Sequence, residues 1–255
     1  MLLTADIGNT NTAIGLYEGD RFAAHWRLTT VPERTADELE IWLRNLLELE
    51  GLTGDDVSGV AISSVVPAIT ASFSEVAAEI TAGDVLVIGP GIKTSMAISI
   101  DNPREVGADR IVNAVAARQR YGAPCVVVDF GTSTNFDVVG PDGDYLGGSI
   151  APGLVIATDA LVSGTAALRN VEFTPPRSPI GKGTVEAIQS GALFGHAGLV
   201  DGIMERIAAE LGGSVTRVAT GGLASTVVPH CSSVEIIDEF LTLDGLKMIY
   251  EMNHG

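Results

Sequence analysis

The chain holds little that would tie it to a metal cluster, a membrane or a nucleic acid. It has two cysteines, Cys125 and Cys231, far apart and without metal-ligand spacing. Cys125 lies in the apolar run Cys125-Val126-Val127-Val128 and reads as core. The four histidines, His25, His196, His230 and His254, show no metal spacing and no paired nucleophile. His25 in a strand and His196 in a helix read as structural. Positive charge is scarce, with 15 Lys and Arg against 32 Asp and Glu and a net charge of -17. Such a surface repels nucleic acid and anionic lipid, which makes both poor partners. It leaves an anionic small molecule open, because backbone N–H groups and a metal ion can hold phosphate on an acidic protein. No apolar run approaches the roughly 20 residues of a membrane span. The chain begins directly as a strand, Leu2 to Asp6, without a basic leader region. These absences together lead us to expect a soluble cytoplasmic protein.

What is present is globular and repetitive. Apolar residues make up 46% of the 255 and charged residues 18%, which excludes general disorder and allows one or two domains. Strands are expected at 2–7, 13–17 and 22–28, a β-meander, and then at 59–64, 85–88 and 125–130. Thr35-Ala36-Asp37-Glu38 has the capping-box form and opens an amphipathic helix over 36–50. Its spacing makes Trp42 core rather than a ligand contact. Further helices are expected at 68–81, 108–121, 152–167, 183–211 and 242–252. Val126 to Thr134 then repeats the plan of Leu2 to Thr10. Each is an apolar strand, an Asp, one apolar residue, a Gly and a turn rich in hydroxyl and amide side chains. Asp6 and Asp129 stand 123 residues apart, nearly half the chain. This reads as an internal duplication of one α/β domain, 1–118 and 119–255. With no Gly/Ser linker between them, the halves are expected to join through the helix near 108–121.

Three features carry chemistry. The paired Asp-x-Gly turns suit two loops closing on one polyphosphate, since glycine lets the backbone approach phosphate oxygens. A strand-end Asp can hold a cation or its water shell. One such turn alone is equally an ordinary Asx turn. Thr220-Gly221-Gly222, between a strand and a helix, suits a nucleotide base or sugar, and equally a plain connecting turn. Asp109 and Arg110 open a helix side by side. A carboxylate there would accept the hydroxyl proton in phosphoryl transfer, and an arginine fork would hold an acceptor carboxylate. Helix-dipole stabilisation and a surface ion pair explain them equally well.

The full set of motifs resembles the type III pantothenate kinase family. The matching segments are Asp6-Ile7-Gly8-Asn9-Thr10, Gly107-Ala108-Asp109-Arg110-Ile111-Val112-Asn113, Asp129-Phe130-Gly131-Thr132 and Gly147-Gly148-Ser149-Ile150-Ala151-Pro152-Gly153. Gly181 to Glu186, Ala219 to Gly222 and Leu241 to Leu246 extend the match to the C-terminus. The resemblance implies two ribonuclease-H-like domains, as in the superfamily of actin, sugar kinases and heat-shock chaperone ATPases. It also implies ATP-dependent phosphorylation of pantothenate, the first step towards coenzyme A. It assigns Asp6, Ile7, Gly8, Asn9, Thr10, Asn11, Thr12 and Ala13 to the first phosphate loop and Thr132 to the second. Asp129 would serve a monovalent cation, potassium or ammonium, and magnesium would accompany ATP. Asp109 would be the general base. Gly107, Ala108, Asp109, Arg110 and Thr184 would contact pantothenate. A homodimer would place the acceptor pocket at its interface. The sequence departs from relatives at Ile100, where some have a tyrosine against pantothenate, and at Gly183, where Asn is frequent. Ser133 and Asn135 also vary within the second phosphate loop. Two alternatives remain: a non-catalytic regulatory or accessory protein, and another small-molecule kinase or phosphatase of the same fold.

Overall fold

The computed structural model describes residues 1–164 and 172–254. They form two compact units: Met1–Ser95, Asn102–Ala116 and Thr242–Gly255 in the first, Met96–Asp101 and Ala117–Leu241 in the second.

The first unit is built on a five-stranded sheet. β1 (Leu2–Ile7) pairs antiparallel with β2 (Asn11–Glu18), which pairs antiparallel with β3 (Arg21–Thr29). On its other side β1 runs parallel to β4 (Gly59–Ser64), and β4 parallel to β5 (Asp84–Val87). Two helices, α1 (Ala36–Leu49) and α2 (Pro67–Ile80), cover one face. Leu3, Ala5 and Ile7 of β1 enter a core with Leu39 and Leu43 of α1 and Phe73 of α2. Strand alternation therefore turns Thr4 and Asp6 to the opposite face. The capping box forms: Glu38 N–H donates to Thr35 Oγ1 at 3.3 Å, and Thr35 N–H donates to Glu38 Oε2 at 2.9 Å.

The opposite face receives α3 (Ala108–Tyr121) and α7 (Leu241–His254). Gly245 of α7 lies so close to α3 that a Cβ there would stand 2.5 Å from the Val112 carbonyl oxygen. Thr242 Oγ1 donates to Asn113 Oδ1 at 2.7 Å, and Tyr17 O–H donates to Asp244 Oδ1 at 2.7 Å. The closing helix thus belongs with the first unit, whereas a division at 118/119 would place it in the second. Residues 96–101 go the other way. Tyr145 N–H donates to Ala97 O at 2.9 Å and Ser99 N–H to Tyr145 O at 2.8 Å, which adds this stretch to the second unit.

The second unit repeats the plan. β6 (Cys125–Phe130), β7 (Ser133–Val139) and β8 (Tyr145–Pro152) form an antiparallel meander. β9 (Thr216–Thr220) runs parallel to β6, and β10 (Ile236–Ile237) parallel to β9. Read from the meander edge, the strand order matches that of the first sheet. Val126, Val128 and Phe130 of β6 pack with Leu193, Ala197 and Met204 of α5 (Thr184–Leu211). α5 stops at Gly212, whose φ of 68° forms a left-handed cap. The helix expected at 152–167 forms as α4 over Leu154–Ser163, and residues 165–167 of that expectation lie outside the described residues. The helix expected after Thr220-Gly221-Gly222 is the short α6 (Ala224–Val227).

Candidate active site

In the first unit, the loop after β1 closes when Gly8 N–H donates to Asn11 O at 3.0 Å. Asn9, Thr10 and Asn11 are exposed and Asp6, Gly8 and Ala13 are half-buried. Ile7 is core, and Thr12 is buried with its hydroxyl 2.9 Å from that of Thr30. Of residues 6–13, then, Ile7 and Thr12 present no polar side-chain atom to a ligand.

The segment Gly107 to Arg110 is half-buried where α3 begins. Asp109 Oδ1 is buried without a hydrogen-bond partner. Burial raises the Asp109 pKa, and backbone N–H donation with the Arg110 charge only partly opposes this. A side chain at Gly107 would collide with Asp109 Oδ1, so glycine there clears the space beside the carboxylate. A carboxylate kept partly desolvated and under-bonded is a stronger base than one in water.

Ser63 escapes notice in the sequence. It is fully buried at the end of β4, and its hydroxyl also lacks a partner. Its register partner is Asp6. The signal was present: two hydroxyl residues, Ser63 and Ser64, end a strand that is otherwise apolar or Gly.

In the second unit, Gly131 N–H donates to Ser133 O at 3.0 Å, a similar closure one residue shorter than in the first loop. Thr132 is exposed at its tip. A Cβ at Gly153 would lie 2.7 Å from Gly131 O, so this glycine lets the chain press under the loop. Thr220 of β9 sits in register beside Asp129. Gly221, at φ 90°, lies against the same carboxylate, and a Cβ there would strike Asp129 Oδ1 and come 2.7 Å from Phe130 N. Only glycine fits that position. The unit thereby gathers Asp129, the Thr132 loop and the Gly221-Gly222 turn at one end of β6.

Thr184 begins α5, exposed, and lines a groove of about 550 Å³ with Thr158 of α4 and His196 of α5. His196 Nε2 is 2.9 Å from Thr134 Oγ1, and burial lowers its pKa, consistent with a structural imidazole. Ile100 packs over Gly147. Cys125 is fully buried, and burial pushes both thiols up to about 12. Among the described residues, no group of three or more His, Cys, Asp or Glu could hold a metal ion. Asp6 and Asp129, each near the end of a strand, offer single carboxylates that can meet a cation together with phosphate and water oxygens. That donor set suits magnesium, which keeps several waters and takes few protein ligands.

The family profile described as type III pantothenate kinase matches residues 2–206. The type III pantothenate kinase of Moorella thermoacetica is 47% identical over 253 residues, covering 99% of this chain and 100% of the relative. That of Myxococcus xanthus is 49% identical over 255 residues, covering 100% of both. Among solved structures, a candidate Baf family transcriptional activator from Campylobacter jejuni aligns over 99% of this chain and 98% of its own at 18% identity, with a TM-score of 0.60. The inorganic polyphosphate/ATP-glucomannokinase of Arthrobacter sp. strain KM aligns over 98% of both chains at 14% identity, with a TM-score of 0.52. At such identities these structures speak for the fold alone, which is the duplicated ribonuclease-H-like architecture of the actin and sugar-kinase group. With the repeated sheets, the paired loops and full-length identity near one half, the chain belongs to the type III pantothenate kinase family, which phosphorylates pantothenate with ATP in coenzyme A biosynthesis.

Proposed function

We propose that Asp109 is the general base of this kinase. It takes the proton of the pantothenate hydroxyl as that oxygen attacks the γ-phosphorus of ATP in line. The observation that carries this is the buried Oδ1 of Asp109, which has no hydrogen-bond partner and lies so close to Gly107 that a side chain there would collide with it. Arg110, next along α3, holds the pantothenate carboxylate as a fork, and Gly107 and Ala108 line the acceptor. Asp6, Asn9, Thr10 and Asn11 hold the triphosphate, Ile7, Gly8, Thr12 and Ala13 shape the loop that presents them, and Thr132 supplies the second loop. Magnesium bound with ATP would neutralise charge on the phosphates. Asp129, whose carboxylate the Gly221 backbone borders, serves potassium or ammonium. Positioning and electrostatics supply most of the acceleration in such transfers.

Thr184 is a further acceptor contact, and we assign it to a homodimer interface. The support is a group of exposed apolar side chains in the second unit: Ile150, Val155, Ile156, Ile180 and Val185. A second copy would cover them. Ile100 stands where some relatives carry an aromatic contact, so acceptor affinity here rests more on Arg110. We place the enzyme in the cytoplasm, and among the described residues no helix is long and apolar enough to cross a membrane.

The test is ADP release measured with ATP, magnesium and pantothenate, in potassium and again in sodium. Turnover that requires pantothenate and rises with potassium is the expected result. ATP hydrolysis indifferent to pantothenate would remove the acceptor assignment. Equal rates in the two salts would remove the cation from Asp129.

A further inference from the structure

The two units anchor their phosphate loops with the same kind of residue. In each meander the first ladder ends beside the loop, at Ile7 and Thr12 in β1–β2 and at Phe130 and Thr134 in β6–β7. The threonine on the return strand is buried in both units, and its hydroxyl is hydrogen-bonded in both. Valine has nearly the same shape and leaves no hydroxyl to satisfy. Packing alone therefore gives no reason for threonine twice.

The partners differ, and the difference has a cause. Thr12 meets Thr30, the first residue past β3, whose N–H also donates to Thr10 O at 3.0 Å. The first residue past β8 is Gly153. A side chain there would collide with Thr132 O, so this position cannot supply the hydroxyl. The second unit takes its partner from α5 instead. His196 Nε2 lies 2.9 Å from Thr134 Oγ1, and the His196 ring lies 6.1 Å from the Phe130 ring between centroids. One buried side chain thus meets both stems of the loop that carries Thr132. Burial favours its neutral ring, which can exchange a hydrogen bond with a hydroxyl in either direction.

We infer that His196 is a positioning residue of this kinase: through Thr134 and Phe130 it fixes the Gly131–Ser133 loop so that Thr132 meets the triphosphate in one orientation. This rests on the ATP-site reading above and adds to it the group that aims the second loop. The loop is a short hairpin turn, so its direction is set at its stems. A binding hydroxyl displaced by about 1 Å loses its hydrogen bond to the ligand. A fully satisfied buried pair rigidifies what it joins, which packing of apolar groups does less sharply.

The experiment measures the calorimetric Kd for ATP with excess magnesium, without pantothenate, well below the melting temperature of each protein. The variants are Thr134→Val, His196→Leu, the two combined, His196→Gln and Thr132→Ala. Each of the first two should weaken ATP binding by roughly 5–20-fold, and the combination should be no weaker than the worse single variant, because both remove one interaction. Gln carries an amide nitrogen near the place of Nε2, so His196→Gln should bind ATP within about threefold of the parent. Lower melting temperatures with parent-like ATP affinity in Thr134→Val and His196→Leu would overturn the assignment and leave a structural pair. Fully additive losses would overturn it too, since the two residues would then act separately. Parent-like affinity in Thr132→Ala would remove the second-loop reading itself. Weak binding by Thr132→Ala beside parent-like binding by His196→Leu would sink the His196 assignment alone.

Discussion

Asp109 is where a single side chain decides most. Two residues of sequence, an acid and a base at a helix start, left its role open between proton acceptor and dipole partner. Backbone N–H groups at the helix start donate to this carboxylate, as both roles allow, and the buried Oδ1 without a partner is what supports the proposed proton acceptor. Asp109→Asn should keep ATP binding and lower kcat by roughly 10²–10⁴-fold, read in the ADP-release assay. A variant within threefold of the parent would end the base assignment. Burial raises the folded-state pKa of Asp109 above the ordinary carboxylate value. Any stability this group contributes is present below the unfolded pKa, near 3.9, and is lost as pH rises through the folded value. At neutral pH the Asn variant should therefore melt no lower than the parent. In the parent, the acid limb of the kcat profile should lie at a higher pH than an exposed carboxylate would give. A limb where an exposed carboxylate titrates would show that Asp109 is not desolvated in the working enzyme.

Elements were legible where one rule governed them. The capping box at Thr35, the apolar stripe of α1 and the unbroken run of β6 each form where sequence places them. β10 went unseen because two residues carry no periodicity. The packing of α7 was invisible for a different reason. Its pattern shows an apolar face but not the partner of that face, which close approach at Gly245 selects. That glycine supports a quantitative expectation. In a free helix, Gly→Ala would gain about 1 kcal/mol in propensity. Here the added Cβ would stand 2.5 Å from the Val112 carbonyl oxygen and 3.1 Å from Ala116 Cβ. Overpacking of that kind costs about 1–3 kcal/mol and wins over propensity. Gly245→Ala should lower the melting temperature by several degrees. Because α3 carries Asp109, kcat should fall more than ATP affinity does. An unchanged or higher melting temperature would mean that the two helices separate freely at this point.

At the scale of the whole molecule, the duplication was legible because its signature is local: strand, Asp, Gly and polar turn, twice. The assembly was not, since an interface and a core share one composition. In the second unit, several large aliphatic side chains lie outside the core. Ile150 is 66% exposed, Val155 41%, Ile156 47% and Ile180 70%, on a chain whose net charge of -17 otherwise keeps copies apart. An acidic protein gains nothing from leaving large aliphatic groups in water, and a scattered few would need no explanation. These come from β8, α4 and the approach to α5, the elements that also carry Thr158 and Thr184 at the groove. Replacing Ile150 and Ile156 by Asp adds two negative charges and removes apolar area from each copy. Sedimentation velocity should show the parent as a dimer and this variant as a monomer. If the acceptor pocket is completed by the second copy, the monomer should also lose pantothenate turnover while its Kd for ATP stays near the parent's. A monomeric parent, or a monomeric variant with full turnover, would show that one chain builds the acceptor site alone.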